Sequence, residues 1–306
     1  MGDPVMPLAL SVASAEPRHL LLHLSDPHFV GDGRRLYGDV DSRSRLLELL
    51  QENLASESRP DAVIITGDLA DAGEVDAYRE LRKALHPFEE RGARLIWLVG
   101  NHDDRSNFRR AMVWDPEDAG HADNADPLYG VHHIGGLRVI ALDTSVPGFH
   151  HGELDAGQLD WLGDQLEHPA PEGTILAMHH PPIRLIQPIA HLTELRDMAA
   201  LAEVIRGSDV RLILAGHLHT STSGMFAGIP VSVASATSYT QDTNVSAGGS
   251  RGRDGAQAVT LVHVYEESIV TTVSPIGRYD TVGEYLDPET VSDRLARGSD
   301  RVSRRA

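Results

Sequence analysis

Short apolar runs rich in β-branched residues alternate along this chain with longer segments of helical spacing. The runs cover residues 21–27, 61–67, 94–100, 137–143, 174–179 and 211–216, and continuous apolar stretches of that length predict buried strands. Between them, "SRSRLLELLQENLA" and "GQLDWLGDQLEH" carry apolar residues three and four apart, as do Tyr78, Leu81, Leu85 and Phe88 after Glu74. Each predicts a helix that packs on the strands by one face. The alternation predicts an α/β fold. Beyond residue 216 the helical period disappears: "GMFAGIPVSVASAT", "AVTLVHVYE" and "SIVTTVSPI" predict hairpins that build a second, more antiparallel sheet. The polar, glycine-rich stretch 239–256 predicts a long loop serving as a lid or a dimer contact. One domain over 19–280 is expected, followed by a charged tail or fraying helix over 281–306 and preceded by a disordered tail over 1–18. That first segment has no basic region before its apolar residues, unlike a secretory leader, so a cytoplasmic protein is expected.

The unusual residues fall at the ends of the predicted strands. The first ends in Asp26-Pro27-His28, the second in Gly67-Asp68 and the third in Gly100-Asn101-His102; two later ones end in His179-His180 and in Gly216-His217-Leu218-His219. Ligands of an open α/β sheet gather outside the carboxyl ends of its strands, so these segments are expected to converge. Each alone has an ordinary reading: a histidine satisfying a local hydrogen bond, an aspartate capping a helix, an asparagine in a left-handed turn. Together they predict a metal site. Seven nitrogen and oxygen donors exceed what one cation needs and suit two cations sharing a carboxylate, with Asp68 the choice for the shared position. Imidazoles, carboxylates and an amide oxygen suit iron, manganese, zinc or cobalt rather than calcium.

Composition removes competing chemistries. The chain has no cysteine, so it has no disulfide, thiolate zinc site or thiol nucleophile. Its only lysine is Lys83, in a polar segment that reads as a surface helix, which excludes a Walker phosphate loop and argues against a Schiff-base lysine. Forty-five acidic against 27 basic residues give a formal charge of −18. Such a chain repels the nucleic-acid backbone, so a nuclease is disfavoured and a small-molecule partner expected. No run reaches the roughly 18 apolar residues of a membrane span.

The ordered set D-x-H, G-D, G-N-H, H-x-P and G-H-x-H resembles the calcineurin-like metallophosphoesterase superfamily, over about residues 20–275. Within it, "LDTSVPGFHHGELDAGQLDWL", "GDLADAGEVDAYRELR" and "PVSVASATSYTQD" are similar to bacterial class III cyclic-nucleotide phosphodiesterases of the CpdA type. The resemblance implies a four-layer αββα sandwich of two mixed β-sheets flanked by helices, with a dinuclear site at the C-terminal strand ends. It implies that Asp26, His28, Asp68 and His219 hold one metal and Asp68, Asn101, His179 and His217 a second, iron and manganese foremost. It implies hydrolysis of 3′,5′-cyclic AMP and other phosphodiesters to the monophosphate by in-line attack of hydroxide, with His102 as proton donor and His102 and Asn101 beside the substrate. His150 and His151, in the loop after the fourth strand, are expected either to border the substrate pocket or to stand as an exposed pair, and a homodimer is also expected. His180 and Asp71 read as neighbours of the ligands, and Pro181 as the turn that aims His179. No tyrosine stands in the motifs where purple acid phosphatases add one to ferric iron. A glycerophosphodiester or phospholipid diesterase would share every ligand. A non-catalytic scaffold would be expected to have lost ligands or the proton donor, and all stand here.

Overall fold

The computed structural model describes residues 16–55, 59–112, 118–119, 126–246, 248–275, 277 and 279–297. Most of the expected N-terminal tail (1–15) and residues 298–306 lie outside the described residues. In chain order, β1 (His19–Leu24), α1 (Ser42–Ala55), β2 (Ala62–Thr66), α2 (Val75–Glu90) and β3 (Arg94–Leu98) form two parallel βαβ units, and α3 (Arg105–Ala111) follows. Next come β4 (Asp118–Ala119), β5 (Gly130–Ile134) and β6 (Leu137–Ala141), paired antiparallel. From β6 the chain returns to parallel pairing through α4 (Ala156–Leu166), β7 (Thr174–Ala177), α5 (Met198–Ile205) and β8 (Val210–Ala215). The remaining strands are β9 (Thr222–Phe226), β10 (Ile229–Val233), β11 (Thr240–Gln241), β12 (Gly252–Arg253), β13 (Ala258–Val264) and β14 (Ile269–Pro275). The described residues divide into two compact units after residue 276, and the second contains α6 (Pro288–Arg297).

Two mixed sheets make the first unit. One has the order β14-β13-β1-β2-β3, the other β4-β5-β6-β7-β8-β10-β9. Three layers of apolar side chains follow from strand alternation, which sends successive residues to opposite faces. Leu22, Leu24, Val63 and Ile65 pack under α1 and α2 with Leu46, Leu50, Leu81 and Leu85. Their neighbours Leu21, Ile64, Ile96 and Leu98 meet Leu137, Val139, Ile175 and Leu214 between the sheets. Ile140, Leu176 and Ile213 face the other way, onto Leu162 and Leu201 of α4 and α5. The result is the four-layer αββα sandwich. Strands buried on both faces explain why the sequence shows unbroken apolar runs there.

Two expectations are corrected. The long hairpins after residue 216 build no sheet together: β9–β10 joins the second sheet beside β8, and β13–β14 joins the first beside β1, with the short β11–β12 pair standing apart. Hairpin signals report local pairing, whereas the choice of sheet edge is set by distant packing. The 239–256 stretch is not a plain loop, because β11 and β12 pair within it and Arg251 forms an ion pair with Asp242. The β5–β6 hairpin, turning on Gly135-Gly136, was legible as a two-residue glycine turn but escapes a reading based on long apolar runs.

Candidate metal centre

Parallel strands β1, β2 and β3 of one sheet and β7 and β8 of the other deliver their carboxyl ends to one place, and the loops there make tight left-handed turns. Among the described residues ten non-glycine residues have positive φ, and Asp26 (52°), His28 (43°), Asp68 (49°), His217 (71°) and His219 (52°) are five of them. Side chains pay for that conformation. Its concentration on the predicted ligands marks a region built for function. Glycines admit the close approach: a Cβ on Gly100 would collide with the Asp68 side chain, and one on Gly216 with Ser25 Oγ and Asp26 Oδ2. At these two motif glycines the requirement is space rather than a positive φ.

The predicted ligands come together. Donor atoms of Asp26, His28, Asp68 and His219 lie within 4.8 Å of one another, and all four residues are buried. His28 Nε2 is 3.1 Å from His219 Nε2 and 3.5 Å from Asp68 Oδ2; His219 Nε2 is 3.4 Å from Asp26 Oδ1. On the other side of Asp68, His179 Nε2 is 3.4 Å from Asp68 Oδ2 and 3.1 Å from Asn101 Oδ1. Asp68 Oδ2 thus stands between the two halves, where a shared ligand belongs.

Hydrogen bonds at the far nitrogens assign the tautomers. Nδ1 of His179 donates to Thr66 O (2.7 Å), Nδ1 of His219 to Tyr239 O (2.9 Å) and Nδ1 of His28 to Asp71 Oδ1 (3.2 Å). Each Nε2 is therefore turned inward, where its lone pair is available to a cation that displaces any proton held there. Asn101 Nδ2 donates to His150 Nδ1 (3.1 Å), which turns its Oδ1 toward His179. Three inward imidazole nitrogens, an amide oxygen and two buried carboxylates fit transition-metal cations and leave little else to do in one place.

Charge supports the same fit. Burial would raise Asp26, but the His219 and His179 rings outweigh it and hold its carboxyl at about 2. Asp68 is likewise held well below the usual carboxylate range against its burial, by His179 and then His28. Burial would lower His179, yet Asp68 and Asp26 raise it to about 9. Protons collect where cations would. His217 is lowered to about 3 by burial and then by the charge of His179, and so stays neutral, as a ligand must.

His180 lies near His179 and His217, within donor distance of both. Both its nitrogens are engaged, however: Nδ1 with Thr144 Oγ1 at 2.8 Å and Nε2 with His150 O at 3.1 Å. It braces the loop that carries His150, with both ring nitrogens committed to protein oxygens. Asp71 similarly orients His28. His102 Nδ1 donates to Asp71 O at 2.8 Å, which leaves its Nε2 facing the cavity. That cavity, of about 280 Å³, is lined by His28, Asp68, Asn101, His102, His150 and His217 together with the apolar Leu185, Ile186 and Ile189.

Three residues escaped the sequence reading. Tyr239 packs its ring 4.4 Å from that of His219, while its hydroxyl pairs with Tyr37 at 3.5 Å; burial, then Tyr37, pushes that phenol above the usual range. Thr193 touches His217 Nε2 at 3.0 Å. Asp103 accepts from the amides of Leu69 (3.1 Å), Ala70 (3.0 Å) and Gly100 (2.8 Å) and from the Tyr78 hydroxyl (3.0 Å), tying the second strand's loop to the third's. Its place directly after G-N-H was the available signal. Burial and the Asp68 charge push Asp103 up to about 7 against those donors. Asp103→Ala is expected to lower stability by about 2–4 kcal/mol, because three amides lose their acceptor together. A thermal midpoint equal to that of the unaltered protein would show that water replaces the carboxylate.

The profile of the family described as calcineurin-like phosphoesterase matches residues 19–221. A protein of Rhodococcus erythropolis named a probable cyclic nucleotide phosphodiesterase is 55% identical over 297 residues, 96% of each chain. A cAMP/cGMP dual specificity phosphodiesterase of Mycobacterium tuberculosis is 54% identical over 281 residues, 92% of this chain and 86% of that one. Among solved structures, the purple acid phosphatase of yellow lupin (Lupinus luteus) seeds superposes on 86% of this chain and 52% of its own, with a TM-score of 0.62 at 14% identity. That last likeness concerns the fold alone.

Proposed function

The chain belongs to the calcineurin-like phosphoesterase family, and from that premise we propose that it is a metal-dependent phosphodiesterase that hydrolyses 3′,5′-cyclic nucleotides, cyclic AMP among them, to the 5′-monophosphate. The observation that carries the reading is the convergence of His28, His179 and His219 Nε2 on the Asp26 and Asp68 carboxylates beside one cavity. At about 280 Å³ the cavity sits at the small end of ligand sites, which suits a single nucleotide rather than a polymer. The formal charge of −18 also disfavours nucleic acid. Cyclic-nucleotide chemistry is the named activity of both bacterial relatives, which match over nearly the whole chain.

Asp26, His28, Asp68 and His219 would hold one cation and Asp68, Asn101, His179 and His217 the other, and the pair would supply a hydroxide nucleophile at neutral pH and neutralise charge on the phosphoryl oxygens. The chain's residues do the rest. Asp26 and Asp68 provide negative charge in a buried setting, where it is weakly screened. Thr66 O, Tyr239 O and Asp71 hold the imidazoles in one tautomer and orientation, so the site needs no rearrangement as charge builds on phosphorus. His102, fixed through Nδ1, presents Nε2 to the cavity, and in its imidazolium form, with both nitrogens protonated, it gives the Nε2 proton to the 3′ oxygen as the ring opens and is left as the neutral ring still bonded to Asp71 O. Leu185, Ile186 and Ile189 offer an apolar wall to the part of the substrate that does not react.

Production of 5′-AMP from 3′,5′-cyclic AMP by the purified protein with Mn²⁺ tests the reading, with cyclic GMP and an aryl phosphodiester alongside. Turnover of a cyclic nucleotide is the expected result. Cleavage of the aryl diester alone would keep the reaction and move the substrate to another diester class. No turnover of any diester by protein carrying bound metal would overturn the enzymatic reading.

A further inference from the structure

We propose that Thr193 is a positioning residue for His217: its hydroxyl dictates which nitrogen of that imidazole carries the proton and so which is free for the second cation. This rests on the dinuclear reading above and adds to it a residue that no motif contains.

Thr193 closes the 3-10 turn Pro188–Leu192, far from His217 in sequence. Its Oγ1 donates to Ala190 O at 3.1 Å. A hydroxyl has one proton to give, so the contact at 3.0 Å with His217 Nε2 runs the other way, with Nε2–H as donor. A neutral imidazole with its proton on Nε2 has its lone pair on Nδ1. His217 therefore has the tautomer opposite to that of His28, His179 and His219, whose Nδ1 donates and whose Nε2 faces inward.

The reversal goes with what holds the outer nitrogen. His217 is the first histidine of G-H-x-H, has φ of 71° and takes its backbone amide to Asp26 at 3.0 Å. The other three rings are held by core carbonyls or by Asp71, whereas Thr193 sits on a turn whose Ile189 and Leu192 are 56% and 74% exposed. The turn is in turn pinned by its exit: Gly152 donates to Glu194 O at 3.2 Å and Arg196 donates to Gly152 O at 2.8 Å. One hydroxyl on a pinned surface turn thus sets the ligand atom of a half-buried ring.

Calorimetric titration of metal-free protein with Mn²⁺ separates this from a packing role, using Thr193→Val, which keeps the shape without the hydroxyl, and Thr193→Ser, which keeps the hydroxyl. The unaltered protein is expected to take two Mn²⁺. Thr193→Val should keep the first at unchanged affinity and bind the second about 10- to 100-fold more weakly, the usual cost of removing the partner of a ligating histidine. Thr193→Ser should restore it, with circular dichroism unchanged throughout. A second-site affinity in Thr193→Val equal to that of the unaltered protein would overturn the proposal, as would a loss in Thr193→Ser equal to that in Thr193→Val. Fewer than two Mn²⁺ on the unaltered protein would overturn the dinuclear reading and this proposal with it.

Discussion

Asp68→Asn is expected to lower kcat/KM for cyclic AMP by about 10³-fold or more, since the charge stabilisation supplied by a bridged metal pair amounts to several kcal/mol at roughly 1.4 kcal/mol per tenfold. Asp68 Oδ2 lies 3.5 Å from His28 Nε2 and 3.4 Å from His179 Nε2, so one oxygen serves both halves of the site. The other oxygen accepts from the His102 amide at 2.9 Å. Asparagine keeps the size and can still accept that amide, but an NH₂ group now stands where the anionic oxygen stood and has no lone pair for a cation. Shape survives and charge is lost. The protein should fold, with thermal unfolding in chelator close to that of the unaltered chain, while added Mn²⁺ no longer raises its midpoint. Ligand binding stabilises by about 2.7 kcal/mol at a hundred times Kd, so the missing metal-induced shift is large enough to read. Two bound Mn²⁺ with full activity in this variant would remove Asp68 from the bridging position.

The parts of the site legible in the sequence are those that depend on local register. A strand buried on both faces reads as an apolar run, and the residue types just after it are printed beside it, so Asp26, His28, Asp68, Asn101, His179, His217 and His219 could be named as a set. What holds them could not, because the holding groups are distant in sequence or belong to the backbone. Thr66 O fixes His179 across 113 positions, and Tyr239 O fixes His219 with a carbonyl that any residue there could supply. Left-handed backbone at His28 and His217 breaks the usual preference of such residues and leaves no mark in composition. The same limit governs the fold. The βαβ units were legible because each helix returns its chain to the neighbouring strand, whereas β13 pairs with β1 within one sheet across most of the chain, a register that no local pattern encodes.

His102→Ala is expected to lower kcat on cyclic AMP by about 10²- to 10⁴-fold, the range for a lost general acid, with both Mn²⁺ retained. The ring is set for that role by its surroundings: Nδ1 is committed to Asp71 O at 2.8 Å, and the ring lies 4.8 Å from that of His28 at the edge of the cavity. A purely orienting role for Asn101 fits the geometry less well, because the Asn101 amide already has His150 as its partner at 3.1 Å. Metal content separates the two, since loss of an orienting residue would deplete the second Mn²⁺. A second comparison isolates the proton. A nitrophenolate departs without protonation, whereas the 3′ alkoxide of a cyclic nucleotide is a strong base and needs a donor. His102→Ala should therefore lose far more on cyclic AMP than on a nitrophenyl diester with the same metals bound. Equal losses on the two substrates would mean that the imidazole acts on the phosphoryl charge they share, and the proton would have to reach the leaving oxygen from elsewhere.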